Sequence, residues 1–254
     1  MLALFLALAG GCDPFADVQK ADTIEAYEAY LNDNPNSTNR LQAEGRLATL
    51  LLEKARNDKT VESYDAFLAR FPKSSLVKDA QKERKELLWA RADQEDTVHA
   101  WKALVDEFSK PDKEGGDRDL VKRAKRRMRM AVHKNDIEIS PVEMEMVNLA
   151  EDPDGPLNGY GFFAEVKNVG AKPITMLKLR IQYLDGSGNP VSEGEWPVVA
   201  AQLPGNLPMP DGFDKPIAPG ETRRWEWTTG DMPDGWAKKS KVTAVDIRVE
   251  GDED

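Results

Sequence analysis

The stretch DTIEAYEAYL, residues 22–31, returns as KTVESYDAFL at 59–68 and as DTVHAWKALV at 96–105. Thr23, Thr60 and Thr97 stand 37 residues apart in both steps, and a fixed period of this size marks repeated supersecondary units. Each threonine is a suitable N-cap, with a hydroxyl that accepts from exposed N–H groups of the first turn. Ile24, Tyr27, Tyr30 and Leu31 then fall on one face of a helix, as do Val61, Tyr64, Phe67 and Leu68, and Val98, Trp101, Leu104 and Val105. Pro35 and Pro72 end the first two helices, while the third runs into Ser109-Lys110-Pro111 and a longer turn. A second helix follows each: one carries Leu41, Ala43, Leu47, Leu50 and Leu51, the next Ala80, Leu87, Leu88 and Ala92, and the last Leu120, Ala124, Met128 and Met130. Residues 17–135 thus read as three helix pairs that bury a shared core by stacking, a short α-solenoid.

From Ile137 the period changes from helical to alternating. Ile137–Ser140 and Val142–Val147 alternate apolar and polar residues. Tyr160–Lys167 puts Phe162, Ala164 and Val166 on one face, and Ile174–Tyr183 turns Leu177, Leu179, Ile181 and Tyr183 inward with Lys178, Arg180 and Gln182 outward. Val191–Ala201, Thr222–Thr228 and Val242–Val249 complete six or seven short strands, and residues 136–250 are expected to form an antiparallel β-sandwich. Gln202–Pro219, rich in Pro and Gly, reads as a surface loop, and residues 251–254 as an acidic tail.

The charge supports a boundary near Asp136. Residues 13–135 hold 24 basic and 23 acidic side chains, whereas residues 136–254 hold 11 and 22. Within the first part, Val121–Lys134 concentrates seven Lys and Arg. This basic helix has three readings: the solvated face of a capping repeat, a dock for the acidic second half, or a contact for anionic lipid head groups.

Residues 1–9, MLALFLALA, are apolar and uncharged. They are far shorter than the roughly 20 residues of a membrane span but fit the apolar region of a signal peptide. Small residues then lead to Cys12, the one cysteine of the chain. Ala9-Gly10-Gly11-Cys12 resembles a bacterial lipobox. That resemblance implies a signal peptide over 1–11, lipidation of Cys12, a tether over 12–16 and attachment to a membrane. Each buried CH₂ of an acyl chain contributes about 0.8 kcal/mol.

The repeats resemble tetratricopeptide repeats. Tyr27, Leu31, Pro35-Asn36-Ser37 and Tyr64, Leu68, Pro72-Lys73-Ser74 bring them closest to the repeats of bacterial outer-membrane assembly lipoproteins and periplasmic cell-division coordinators. In the second half, Gly161–Gly170 with its Val-Lys-Asn-Val-Gly end, Met176–Asp185, and Ala218-Pro219-Gly220-Glu221 resemble immunoglobulin-like modules of the FxLYD type. The two resemblances imply an address in the cell envelope facing the periplasm, the outer membrane favoured over the inner, and a scaffold that binds an envelope protein partner.

Catalytic signatures are missing from the sequence. His99 and His133 are the only histidines, no Cys/His cluster has zinc spacing, and no Gly-x-Ser-x-Gly or phosphate-cradling glycine loop occurs. Asp152, Asp154 and Gly155 read as a plain acidic turn, lacking the ligand pattern of a calcium loop. The expectation is a protein that is not an enzyme, with no metal and no cofactor, and with no nucleic acid among its partners because the second half is acidic. The other function in view is a cell-wall or small-ligand binding module that uses Trp196, Trp225, Trp227 and Trp236; tryptophans exposed in a groove would favour it and buried ones the scaffold.

Overall fold

The computed structural model describes residues 14–111, 116–149, 156–201, 211–230 and 232–252. Helices precede antiparallel sheets. The helices are α1 (Phe15–Ala21), α2 (Ile24–Asp33), α3 (Arg40–Asp58), α4 (Val61–Arg70), α5 (Val77–Glu95), α6 (Val98–Phe108) and α7 (Arg118–His133). The strands are β1 (Ile137–Ile139), β2 (Glu143–Val147), β3 (Gly159–Asn168), β4 (Ile174–Leu184), β5 (Pro190–Val199), β6 (Thr222–Thr229) and β7 (Lys239–Val249). Two compact units divide between Gln94 and Glu95.

In each repeat the threonine caps its helix. Thr23, Thr60 and Thr97 accept from the backbone N–H of Ala26, Ser63 and Ala100. The residue before each threonine is left-handed, with φ of 47° at Asp22, 52° at Lys59 and 41° at Asp96. The aromatic residue at the sixth repeat position is buried: Tyr27, Tyr64 and Trp101 are 2%, 5% and 0% exposed. Its polar tip meets a carboxylate that an arginine also holds. Tyr27 Oη donates to Asp22, which Arg46 grips at 2.6 and 2.8 Å. Trp101 Nε1 donates to Asp96 at 2.9 Å, and Arg127 reaches the same carboxylate. In the middle repeat Lys59 stands where the others have Asp, and Tyr64 Oη donates instead to Glu83, held by Arg56. Ion pairs as exposed as Arg56–Glu83 contribute about 0–1 kcal/mol, whereas truncating a buried ring such as Trp101 costs about 3–5 kcal/mol. The rings supply the cohesion and the ion pairs set the direction in which each ring points.

Among the described residues, the first unit holds two cores. Phe15, Tyr27, Tyr30, Ala43 and Leu47 form one, and Ala48, Leu52, Ala55, Tyr64, Phe67 and Ala80 the other. Ser37 and Ser74 organise the turns after the prolines, accepting from the N–H of Asn39 and Leu76. Phe15 and Ala16, assigned to the tether on sequence, belong to α1, because the Phe15 ring packs 5.3 Å from that of Tyr30.

In the second unit β3 pairs with β6 along one side, and with β1 and β2 along the other. Ser140 and Pro141 break that second side into two short strands, since proline has no N–H to give a ladder. The other sheet has the order β5-β4-β7. The inward residues of both sheets share one core, with Phe162, Val166 and Trp225 from the first and Leu177, Leu179, Ile181 and Ile247 from the second. Asn168, fully buried at the end of β3, ties the two together: its Nδ2 donates to the carbonyls of Lys172 and Ile217, and its Oδ1 accepts from Gly170 N. Gly220, at φ 81°, closes the Ala218–Glu221 turn and donates to the Asn168 carbonyl; the positive φ is one that glycine adopts freely.

The boundary expected at Asp136 is corrected by the compact units. The helix pair α6–α7 belongs with the strands, because α7 is bonded to β7 by arginines described below and its end is tied to the β3–β4 turn. The carbonyl of Asp136 accepts from both Val169 N and Gly170 N. The acidic turn at 151–155 and most of the Pro/Gly loop, residues 202–210, lie outside the described residues.

Two measurements test this packing. Replacing Asn168 with Ala removes three hydrogen bonds of one buried amide, to Lys172 O, Ile217 O and Gly170 N, and denaturant unfolding should show a loss of about 2–4 kcal/mol. Lys59 in a left-handed cap is a strained choice, so Lys59→Gly should raise the stability of the helical far-UV dichroism signal by about 0.5–1 kcal/mol.

Candidate functional site

Within the second unit, α7 crosses β7 on the outer side of its sheet. The register of β4 against β7 slips between Lys178 and Leu179, which face Asp246 and Ala244, so Val245 has no partner on β4. Its carbonyl accepts from Arg126 Nε at 2.6 Å. Arg129 donates to the Ile247 carbonyl and pairs with Asp246 at 3.1 Å. Arg126 also reaches Glu195 of β5 at 3.3 Å, which Arg180 of β4 holds at 2.5 Å. At the end of the helix His133, 9% exposed, lies between Asp136 at 2.7 Å and Asp252 at 3.4 Å. The dock against the acidic half is therefore present, carried by two of the arginines in the basic run.

Lys122, Arg123 and Lys125, together with Arg126 and Arg129, line a groove of about 890 Å³ between the end of α6, α7 and the strands β4 and β7. Arg118, Lys122, Lys125 and Arg129 fall at i, i+4, i+7 and i+11, a single stripe along α7. Lys178 and Arg248 face them from the sheet, and Phe108, Pro111 and Val121 make an apolar end. Among the described residues, nine of the fourteen that line it are Lys or Arg, against Asp246 as the single acid. That acid is already engaged by Arg126 and Arg129. The groove thus carries net positive charge within a part of the chain whose composition is acidic. The arrangement suits charge-assisted hydrogen bonds to an anion.

A second groove, of about 350 Å³, lies between α3 and α4 in the first unit. Leu51, Ala55, Ala66 and Phe67 form its floor, and Lys54, Asp58 and Arg70 its rim.

Other residues singled out on sequence fall elsewhere. Cys12 lies outside the described residues. Trp225 is 1% exposed, and the other three tryptophans are half-buried. Trp227 Nε1 donates to Tyr183 Oη and its ring packs 5.6 Å from Trp196. Trp236 packs edge-on to Tyr160 and Tyr183 and donates to the Lys239 carbonyl. Among the described residues no group of His, Cys, Asp and Glu is placed to hold a metal ion, and no helix is long and apolar enough to cross a membrane. The groove itself was not read from the sequence. Its signal was the basic stripe at 118, 122, 125 and 129, whose spacing is visible, while Lys178 and Arg248 join it only through the fold.

No protein-family model matches the chain, and no curated protein does. Among solved structures, a Bordetella pertussis protein named ApaA is similar at 15% identity, with 45% of this chain and 91% of that one covered and a TM-score of 0.24. A structural-genomics target, SoR45, is similar at 12% identity over 46% and 86% of the two chains, TM-score 0.25. The alkylpurine DNA glycosylase AlkC of Pseudomonas fluorescens, bound to DNA containing an abasic site analog, is similar at 11% identity over 91% of this chain and 62% of that one, TM-score 0.32. This last likeness, to an enzyme holding DNA, corrects the expectations that the chain is not an enzyme and that nucleic acid is not among its partners; both exclusions are withdrawn. At such TM-scores the likenesses themselves lend this chain no fold, activity or ligand.

Burial works to raise the Glu195 carboxyl, but the hydrogen bond from Arg180 and the charge of Arg126 outweigh it and hold it below the usual range. A lowered pKa in the folded state means stability that is present above the ordinary Glu value of about 4.3 and lost as pH falls through the folded one. The advantage of the parent chain over Glu195→Gln, followed by tryptophan fluorescence during denaturant unfolding, should shrink steadily below about pH 4.

Proposed function

We propose that this chain is a lipid-anchored protein of the cell envelope, held at Cys12, that acts as a scaffold for a protein partner. The anchor follows from the lipobox-like residues 9–12, and the periplasmic face from the resemblance of the repeats to those of envelope lipoproteins. In this reading the helix pairs are tetratricopeptide-like and the two sheets form an immunoglobulin-like sandwich. The observation that carries the scaffold role is the open groove between α3 and α4, apolar on its floor and charged on its rim, a composition that suits a peptide segment or helix. The packing of the four tryptophans among their own neighbours supports this role over a ligand site built from them.

The test has two readouts. Radiolabelled palmitate should enter the parent chain and not Cys12→Ala, and the variant should move from the membrane to the soluble fraction. A photo-crosslinking residue at Glu62, on the groove rim, should capture a protein adduct in cells that disappears in Ala66→Glu. A parent chain that takes no label overturns the anchor, and an adduct unchanged by Ala66→Glu overturns the scaffold.

A further inference from the structure

We propose that the cationic groove on α7 is a binding site for a compact phosphate-bearing anion with an apolar portion. This goes beyond the scaffold reading and rests on different residues. Three parts of the chain converge on it: the end of α6, the stripe Arg118-Lys122-Lys125-Arg129, and the sheet residues Lys178 and Arg248.

Two arginines of α7 have their work already, bonded to the carbonyls of Val245 and Ile247. Fastening the helix therefore does not account for Lys122 and Lys125, which are exposed on the groove side. Holding several like charges around one concavity costs repulsion that a dianionic ligand would relieve. Two or three cations on one group match the several acceptor oxygens of a phosphate.

Size and polarity narrow the ligand further. A groove of about 890 Å³ is in the range of sites for whole small molecules and is far larger than a bare phosphate needs. Its end formed by Phe108, Pro111 and Val121 offers apolar surface beside the cations, the complement of an anionic head with an apolar body. The acidic balance of residues 136–254, 11 basic against 22 acidic, opposes a long polyanion at low ionic strength and leaves a compact one favoured.

The experiment is titration calorimetry on the full chain at low ionic strength. The probes are inorganic pyrophosphate, short-chain soluble phosphatidylglycerol, short-chain phosphatidylcholine as the zwitterionic control, and a single-stranded oligonucleotide. Binding to at least one of the first two is expected. It should weaken as salt rises and fall by about tenfold or more in the double variant Lys122→Glu/Lys125→Glu. Lys82→Glu/Lys102→Glu, outside the groove, makes the same change in net charge and should bind as the parent does. Thermal unfolding of each variant verifies that the fold is retained. Phosphatidylglycerol binding more tightly than pyrophosphate assigns the anion to a lipid headgroup, and the reverse order assigns it to a free phosphorylated molecule. The proposal is overturned by no binding to either, by binding that the Lys122/Lys125 reversal leaves unchanged, by equal binding of phosphatidylcholine, or by an oligonucleotide that outcompetes both. Cys12 and the α3–α4 groove take no part, so failure here leaves the anchor and scaffold standing.

Discussion

The second unit depends on a bond from a helix arginine to the backbone of an edge strand. β7 is an edge strand of its sheet, Val245 has no register partner where β7 slips by one residue against β4, and a backbone acceptor shielded from water needs a donor. Arg126 supplies the donor from α7. Once that bond is made, the helix lies across β7, Arg129 reaches Asp246, and the helix end meets the β3–β4 turn through Asp136 and His133. The groove follows from the same bond, since its two walls are the helix and the strands thus joined. One basic helix therefore carries two kinds of cation: those turned to the sheet are structural, and those a turn away stand along a concavity.

The repeats show how a single geometry tolerates different charges. A left-handed residue, a capping threonine and a buried ring recur at a spacing of 37, yet the acid that receives the ring's polar tip changes place. In the first and third repeats it is the left-handed Asp22 or Asp96. In the second, Lys59 occupies that position and Glu83 takes over from α5. Glu83 is 37 residues beyond Arg46, so an acid stands in the second repeat where the first has the base, and Arg56 of α3 holds it. The requirement is for a paired acceptor within reach of the ring, and either helix can provide it.

Asn168 plays the corresponding part among the strands. It is the asparagine of the Val-Lys-Asn-Val-Gly run, and its amide satisfies backbone groups from the β3–β4 connection and from Ile217 just before the Ala218–Glu221 turn. Its backbone is tied to that turn as well, Asn168 N donating to Glu221 O and Gly220 N to Asn168 O. A buried amide needs its partners in place, and here the neighbouring backbone supplies them.

Much of the architecture was written locally. Period, caps and helix-ending prolines are properties of neighbouring residues, so the three repeated helices and their buried rings were legible, as were the strands and their inward faces at Phe162, Ala164, Leu177, Leu179 and Ile181. The unit boundary was not. Charge and period both change at Asp136, but the allegiance of α7 is settled by Arg126 and Arg129 meeting Val245 and Asp246, more than a hundred residues away. The same holds for the groove: the stripe on α7 could be counted along the chain, whereas Lys178 and Arg248 enter it through strand pairing. Sequence alone decides what each segment can form, because hydrogen bonding and side-chain period act within a few residues. Tertiary structure alone decides which segments share a surface, because that is set by side chains and backbone carbonyls far apart in the chain.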